Sequence, residues 1–162
     1  MQGLYRAVPI YVIDTWKPSL TTYSLLIAFV SLLCFIANLT FLNKLAKRFS
    51  TIKLLSGLLF SGGFAVLLMI VPQHFASIWL AYGIAVIPTV MALPTATTWL
   101  SQQVTSNEQG QVLGNNQALL VFGEASSAAI FGLIASMIIS LPIVLIGMIL
   151  IMTGLLVLQN QS

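Results

Sequence analysis

Apolar residues run through this chain in long stretches, broken by short polar segments rather than by alternation. No Asp, Glu, Lys or Arg occurs over residues 18–43, 54–107 or 125–162. A helix needs about 20 apolar residues, each rising 1.5 Å, to cross a hydrocarbon layer roughly 30 Å thick. The first stretch therefore holds one such helix and the second holds two. The last region, interrupted only by Glu124, holds two more. The polar breaks set the predicted spans at 20–42, 52–71, 75–100, 112–139 and 143–158. Pro72, Gln73 and His74 separate the second from the third, and Ser140, Leu141 and Pro142 turn the chain between the fourth and fifth. Helices are expected rather than strands, because the runs are apolar all round. A membrane-barrel strand is about ten residues long and alternates.

Residues 4–13 form a further apolar run that contains Arg6 and is too short to span. It lacks the basic segment and small-residue cleavage site of a signal peptide. It reads as a partial helix, the second half of a membrane helix. The pattern predicts an all-α polytopic membrane protein, with five full transmembrane helices plus a short N-terminal half-helix in a single domain over 1–162.

Composition narrows the function. Of 162 residues, 59% are hydrophobic and 6% charged, whereas soluble domains carry about a quarter charged residues. Too little charge is present to cover a water-facing surface, which excludes a soluble globular domain, a disordered chain and a nucleic-acid binder. The net charge of +3 rests on six Lys and Arg, and four of these are Lys44, Lys47, Arg48 and Lys53. Such a cluster is a topology signal that keeps its loop cytoplasmic. Residues 101–111 and the C-terminus are then inside, and residues 14–17, His74 and the 140–142 turn outside. The expected location is a bacterial inner membrane. With one Cys, one His and three acids, no disulfide, metal site or cofactor is expected. No set of residues suggests an enzyme.

Glu124 is the most informative residue. It lies about 18 Å into its predicted span, near the bilayer midplane, where a charge costs about 2.5–3.5 kcal/mol to insert. It reads either as a proton carrier or substrate counter-charge, or as a structural acid bonded within the bundle. Arg6 also falls at membrane depth, as a cavity cation or as a wet residue near the chain start. Pro88 and Pro94 predict kinks in the third span; Thr95, Thr97 and Thr98 are candidates to satisfy the freed carbonyls. Asn38, Asn115, Asn116 and Gln117 read as helix glue or as the lining of a path. Gly57, Ser61, Gly62 and Gly63 look like a close-packing face, as do Gly123, Ser126, Ser127 and Gly132. His74 is expected to be solvated and Cys34 to be an inert apolar residue.

Two stretches resemble a known family. Residues Leu42-Asn43-Lys44-Leu45-Ala46-Lys47-Arg48-Phe49-Ser50-Thr51-Ile52-Lys53-Leu54-Leu55 resemble the basic cytoplasmic loop between the eighth and ninth helices of the major facilitator superfamily. The family's glycine and aspartate are missing there, and the basic residues remain. Residues Pro94-Thr95-Ala96-Thr97-Thr98-Trp99-Leu100-Ser101, leading into Glu108-Gln109-Gly110-Gln111-Val112-Leu113-Gly114-Asn115-Asn116-Gln117, are similar to the passage from helix ten to helix eleven in tetracycline/proton antiporters. Residues 4–13, with Pro9-Ile10-Tyr11, look like the outer end of helix seven. Relatives often carry Gly-Pro where this chain has Gly123-Glu124, which makes Glu124 distinctive.

The resemblance implies half of a facilitator-type twelve-helix fold, from the end of helix seven through helix twelve. It implies transport of a small solute by alternating access, with proton-coupled efflux or uptake. Glu124, Arg6, Asn38, Thr95 and Asn116 are then the candidates for a substrate or proton pathway. The implied partners are the lipid bilayer, a small-molecule substrate, and an N-terminal six-helix half or a second copy, with no nucleic acid. On this reading the chain is a C-terminal half or a truncated fragment. Two alternatives stay open: a small structural or assembly membrane protein, and a homodimeric small transporter.

Overall fold

The structure, a computed structural model, describes residues 2–135 and 138–159. Among these the chain is all-helical, with six helices and no strand. Five are long and apolar enough to cross a membrane.

Helix α1 (Gln2–Trp16) extends beyond the run 4–13 at both ends and carries Pro9 inside it. Leu4, Ala7, Val8, Tyr11 and Val12 are buried, the i, i+3, i+4 stripe of a helix with one face against a core. Its 15 residues measure about 22 Å, still short of the hydrocarbon thickness. The helix stops at Lys17, whose φ of 44° closes a left-handed turn just before Pro18. The Lys17 N–H donates to the Ile13 carbonyl (3.0 Å). Trp16 packs edge-on against Tyr11 and Phe75.

Helix α2 (Leu20–Arg48) starts at Ser19, whose hydroxyl accepts from the Thr22 N–H (3.2 Å). It corrects the expectation of a span at 20–42 followed by a basic loop. The helix passes through a π-helical segment, Ala37–Leu42, and continues as α-helix through Lys44, Lys47 and Arg48. Leu, Ala, Lys and Arg are strong helix formers, and cations suit a helix C-terminus, so nothing forces a loop there. Phe49 and Ser50 turn the corner in extended conformation.

Helix α3 (Thr51–Leu68) ends before Val71. The N–H groups of Met69, Ile70 and Val71 reach back three residues, to Val66, Leu67 and Leu68 (3.1–3.3 Å). This tightened turn runs into Pro72, which disfavours helical backbone in the residue before it. Helix α4 (Phe75–Gln102) stays continuous across Pro88 and Pro94. Helix α5 (Gln109–Ala135) begins ahead of the predicted residue 112. There the Glu108 carboxylate accepts from the Thr105 N–H (3.3 Å) and hydroxyl (2.8 Å), a capping arrangement that nucleates the first turn. Of the tail predicted to reach 139, residues 136 and 137 lie outside the described residues. Helix α6 is Leu141–Gln159.

Helix α3 is the hub, packed most extensively on α6 and next on α4. Glycine sets the first approach. A Cβ on Gly63 would sit 2.7 Å from the Gly147 carbonyl oxygen and 2.9 Å from the Ile151 nitrogen. Ser56 ties the same seam, its hydroxyl donating to the Gly154 carbonyl (2.9 Å). On the α4 side a Cβ on Gly62 would meet Thr89 Cγ2 at 3.1 Å. The proposed small-residue face of α3 thus holds at Gly62 and Gly63 but not at Gly57, which has open space around it, nor at the exposed Ser61. Helix α2 packs on α4, and α1 packs on α5 and α6. Helix α5 has no fully buried residue. Gly123 and Gly132, expected to be close-packed, have no neighbour within 4 Å of a built Cβ.

Candidate functional site

The loose seating of α5 leaves a cavity of about 450 Å³ between it and α3, α4 and α6. On α5 the lining residues are Asn116, Leu119, Leu120, Gly123, Glu124, Ser127 and Phe131, a helical stripe at intervals of three and four. Helix α4 contributes the segment from Leu93 to Leu100, including Thr97 and Trp99. Helix α6 contributes Thr153 among aliphatic neighbours. The lining from α3 and α4 lies near the start of α3 and the end of α4, so the cavity occupies the part of the bundle nearer the α2–α3 corner.

Glu124 is half-buried. It stands about 22 Å from the start of α5 and about 16 Å from its end, close to the middle of the helix. The three hydroxyls on the wall are already committed as donors within their own helices. Thr97 donates to the Leu93 carbonyl (3.1 Å), Thr153 to Ile149 (2.7 Å) and Ser127 to the backbone carbonyl of Glu124 (2.9 Å). Their oxygens can therefore accept but not donate. With the Glu124 carboxylate and the Asn116 amide, the wall is rich in acceptors. No basic side chain is among the described lining residues.

Two of the five proposed pathway residues, Glu124 and Asn116, come together here. Asn38 does not: it lies within the π segment of α2, and its amide donates to the Cys34 carbonyl (3.0 Å) of the same helix. Thr95 is buried and donates to the Met91 carbonyl (2.8 Å). It faces a separate cleft of about 160 Å³ with Pro94, Thr98, Asn43 and Thr51. Arg6 belongs to α1, and its side chain lies outside what the structure describes. The freed carbonyls near the prolines are also differently served. Loss of the N–H at Pro88 and Pro94 leaves the carbonyls of Ile84 and Val90 short of a donor. Thr95, Thr97 and Thr98 instead donate to Met91, Leu93 and Pro94. Lys44, Lys47, Arg48 and Lys53 are all exposed, as is His74.

Thr97, Thr153 and Ser127 are polar wall residues that sequence reading passed over for this role, Ser127 having been read as part of a close-packing face. Thr153 carried a signal, as the one hydroxyl in the apolar run 143–158. Thr97 carried none, since only packing selects it over Thr95 and Thr98. Among the described residues no group of three or more His, Cys, Asp and Glu could hold a metal ion. Comparison with protein families, curated proteins and solved structures finds nothing that matches this chain.

Proposed function

We propose that this chain moves a small solute across a membrane by alternating access, as the C-terminal half of a facilitator-type secondary transporter coupled to protons. The observation that carries this reading is Glu124 facing a cavity of about 450 Å³ from the middle of a membrane-spanning helix. Ligand cavities commonly measure 300–1,000 Å³. Ionisable residues at such depth face the bundle interior or a cavity and mark substrate or ion paths. The wall suits a cationic ligand with an apolar body. It offers several acceptors and the rings of Trp99 and Phe131, which attract cations over their faces. The resemblance of residues 42–55 and 94–117 to the facilitator family supplies the transport scheme and the second half that would complete the path.

The test uses tetraphenylphosphonium as a probe. The purified chain in phosphatidylcholine nanodiscs should bind it, and Glu124→Gln should weaken binding about tenfold, the loss of about 1.4 kcal/mol. Binding that is absent, or unchanged in Glu124→Gln, overturns the assignment of the site. Uptake driven by a pH gradient in proteoliposomes then addresses assembly. Activity only when the chain is joined to a six-helix N-terminal half supports the half-transporter. Activity from the chain alone replaces that reading with a homodimer.

A further inference from the structure

Helix α2 outruns the bilayer. Residues 20–42 alone account for about 35 Å, already more than the roughly 30 Å hydrocarbon layer. The last six residues, Asn43–Arg48, add about 9 Å and carry Lys44, Lys47 and Arg48 past its edge. The headgroup layer is about 5–7 Å deep on each side, so this turn sits at the level of lipid phosphates. The three cations are spaced i, i+3, i+4 and share one face. Lys53 joins them across the two-residue corner, in the first turn of α3.

Beyond the α2 dipole, no acidic side chain among the described residues pairs with this group. All four side chains are exposed, and among the described residues none forms an ion pair. The acid at the same end of the bundle, Glu108, is occupied with Thr105. Lys53 also opposes the positive end of the α3 dipole, where an anion is favoured. Four like charges so arranged repel one another until a counter-anion arrives. Phe49, 46% exposed, lies beneath the Arg48 guanidinium, 6.0 Å from ring centroid to carbon. Aromatic rings prefer this interfacial level. Beside the corner, the cleft of about 160 Å³ lined by Leu42, Asn43, Ala46, Thr51 and Leu54 has room for the glycerol end of a lipid.

We infer that the α2–α3 corner is a binding surface for an anionic phospholipid, with the phosphate held among Lys44, Lys47, Arg48 and Lys53. Clustered cations at the membrane surface contribute about 1 kcal/mol each toward anionic lipid, roughly fivefold in affinity. The inference is independent of what the central cavity carries.

The experiment equilibrates the detergent-purified chain with equal amounts of phosphatidylglycerol and phosphatidylcholine and reads retained lipid by native mass spectrometry. Wild type should retain phosphatidylglycerol at least about fivefold over phosphatidylcholine, and less at high salt. The combined variant Lys44→Gln, Lys47→Gln, Arg48→Gln, Lys53→Gln should bring the ratio to parity. Exchanging each Lys for Arg should keep the preference. Lys53→Gln alone leaves the α2 turn intact and should lower the ratio measurably, so failure of the fourfold variant to insert does not stop the test. Parity in wild type, or a preference untouched by both Gln variants, overturns the inference. Displacement of the lipid by inorganic phosphate also overturns it, since the surface would then be a small-anion site.

Discussion

The seam between α3 and α6 and the flank of α5 are built from the same residue types and do opposite things. In the seam, glycine brings backbones into contact. Gly63 and Gly147 leave no space for a Cβ, and Gly154 nearly none, with Phe60 N and Ser56 O at 3.1 and 3.2 Å. Ser56 bonds across to α6. On α5, Gly110, Gly114, Gly123 and Gly132 have nothing within 4 Å of a built Cβ, and Ser127 bonds within its own helix. Between helices in lipid the gain comes from close packing and hydrogen bonds, because hydrocarbon tails are as apolar as Leu. The seam collects both gains. Helix α5 forgoes the close packing at these glycines, and the space so left is the cavity that Glu124 faces. Small residues therefore mark where helices can close up, not where they do.

Four substitutions probe that contrast, from the largest effect to the smallest. Gly63→Val drives a branched side chain into the α6 backbone and should destabilise the bundle by about 3 kcal/mol, the upper range for overpacking. Its thermal unfolding midpoint in detergent should fall sharply. A midpoint like wild type would mean the seam can yield. Glu124→Gln should lower tetraphenylphosphonium binding about tenfold and leave the unfolding midpoint near wild type. A large loss of stability instead would make Glu124 a structural acid and return α5 to the same class as the seam. Ser56→Ala removes one interhelical hydrogen bond, worth about 0.6 kcal/mol on average in a membrane bundle; denaturant titration in mixed micelles resolves this. Gly123→Ala meets open space and exchanges a poor helix former for the best, a gain of at most about 1 kcal/mol. The same titration should show it neutral or slightly stabilised. Destabilisation would reveal a neighbour covering that face.

The number and place of the membrane helices were legible in the sequence because each rests on a long uncharged run. Their ends were less so. The basic cluster at Lys44, Lys47 and Arg48 read as a loop, since charge marks the membrane boundary but does not stop a helix made of Asn, Lys, Leu, Ala and Arg. At the start of α5, Thr105 and Glu108 carried the capping spacing, three residues apart, that sets the earlier beginning. The partnering of helices was not legible. Apolar residues surround α3 and α6 on every side, so no stripe points to a neighbour, and only the backbone approach at Gly63 distinguishes its role from that of Gly123. For the site, Glu124 stood out because a lone acid in 27 helical residues is costly wherever it faces. Asn38 and Thr95 carried the same polarity to a different end. Their own helices' carbonyls lie within reach of a short side chain, and in a medium without water those bonds come first.

The π-helical segment at Ala37–Leu42 sets the angular phase of everything after it. Its wider turn absorbs an extra residue relative to an α-helix, so the face carrying Lys44, Lys47 and Arg48 is rotated against the face that Leu26 and Val30 bury. One α-helical residue corresponds to about 100° of rotation. Rewinding 37–42 as α-helix with every residue kept would swing the basic turn about the helix axis by that amount, whereas deleting a single residue there would restore α-helical winding and leave the cations on the face they now occupy. Which way the cations point is thus written in the winding of α2 six residues earlier, not in the basic turn itself.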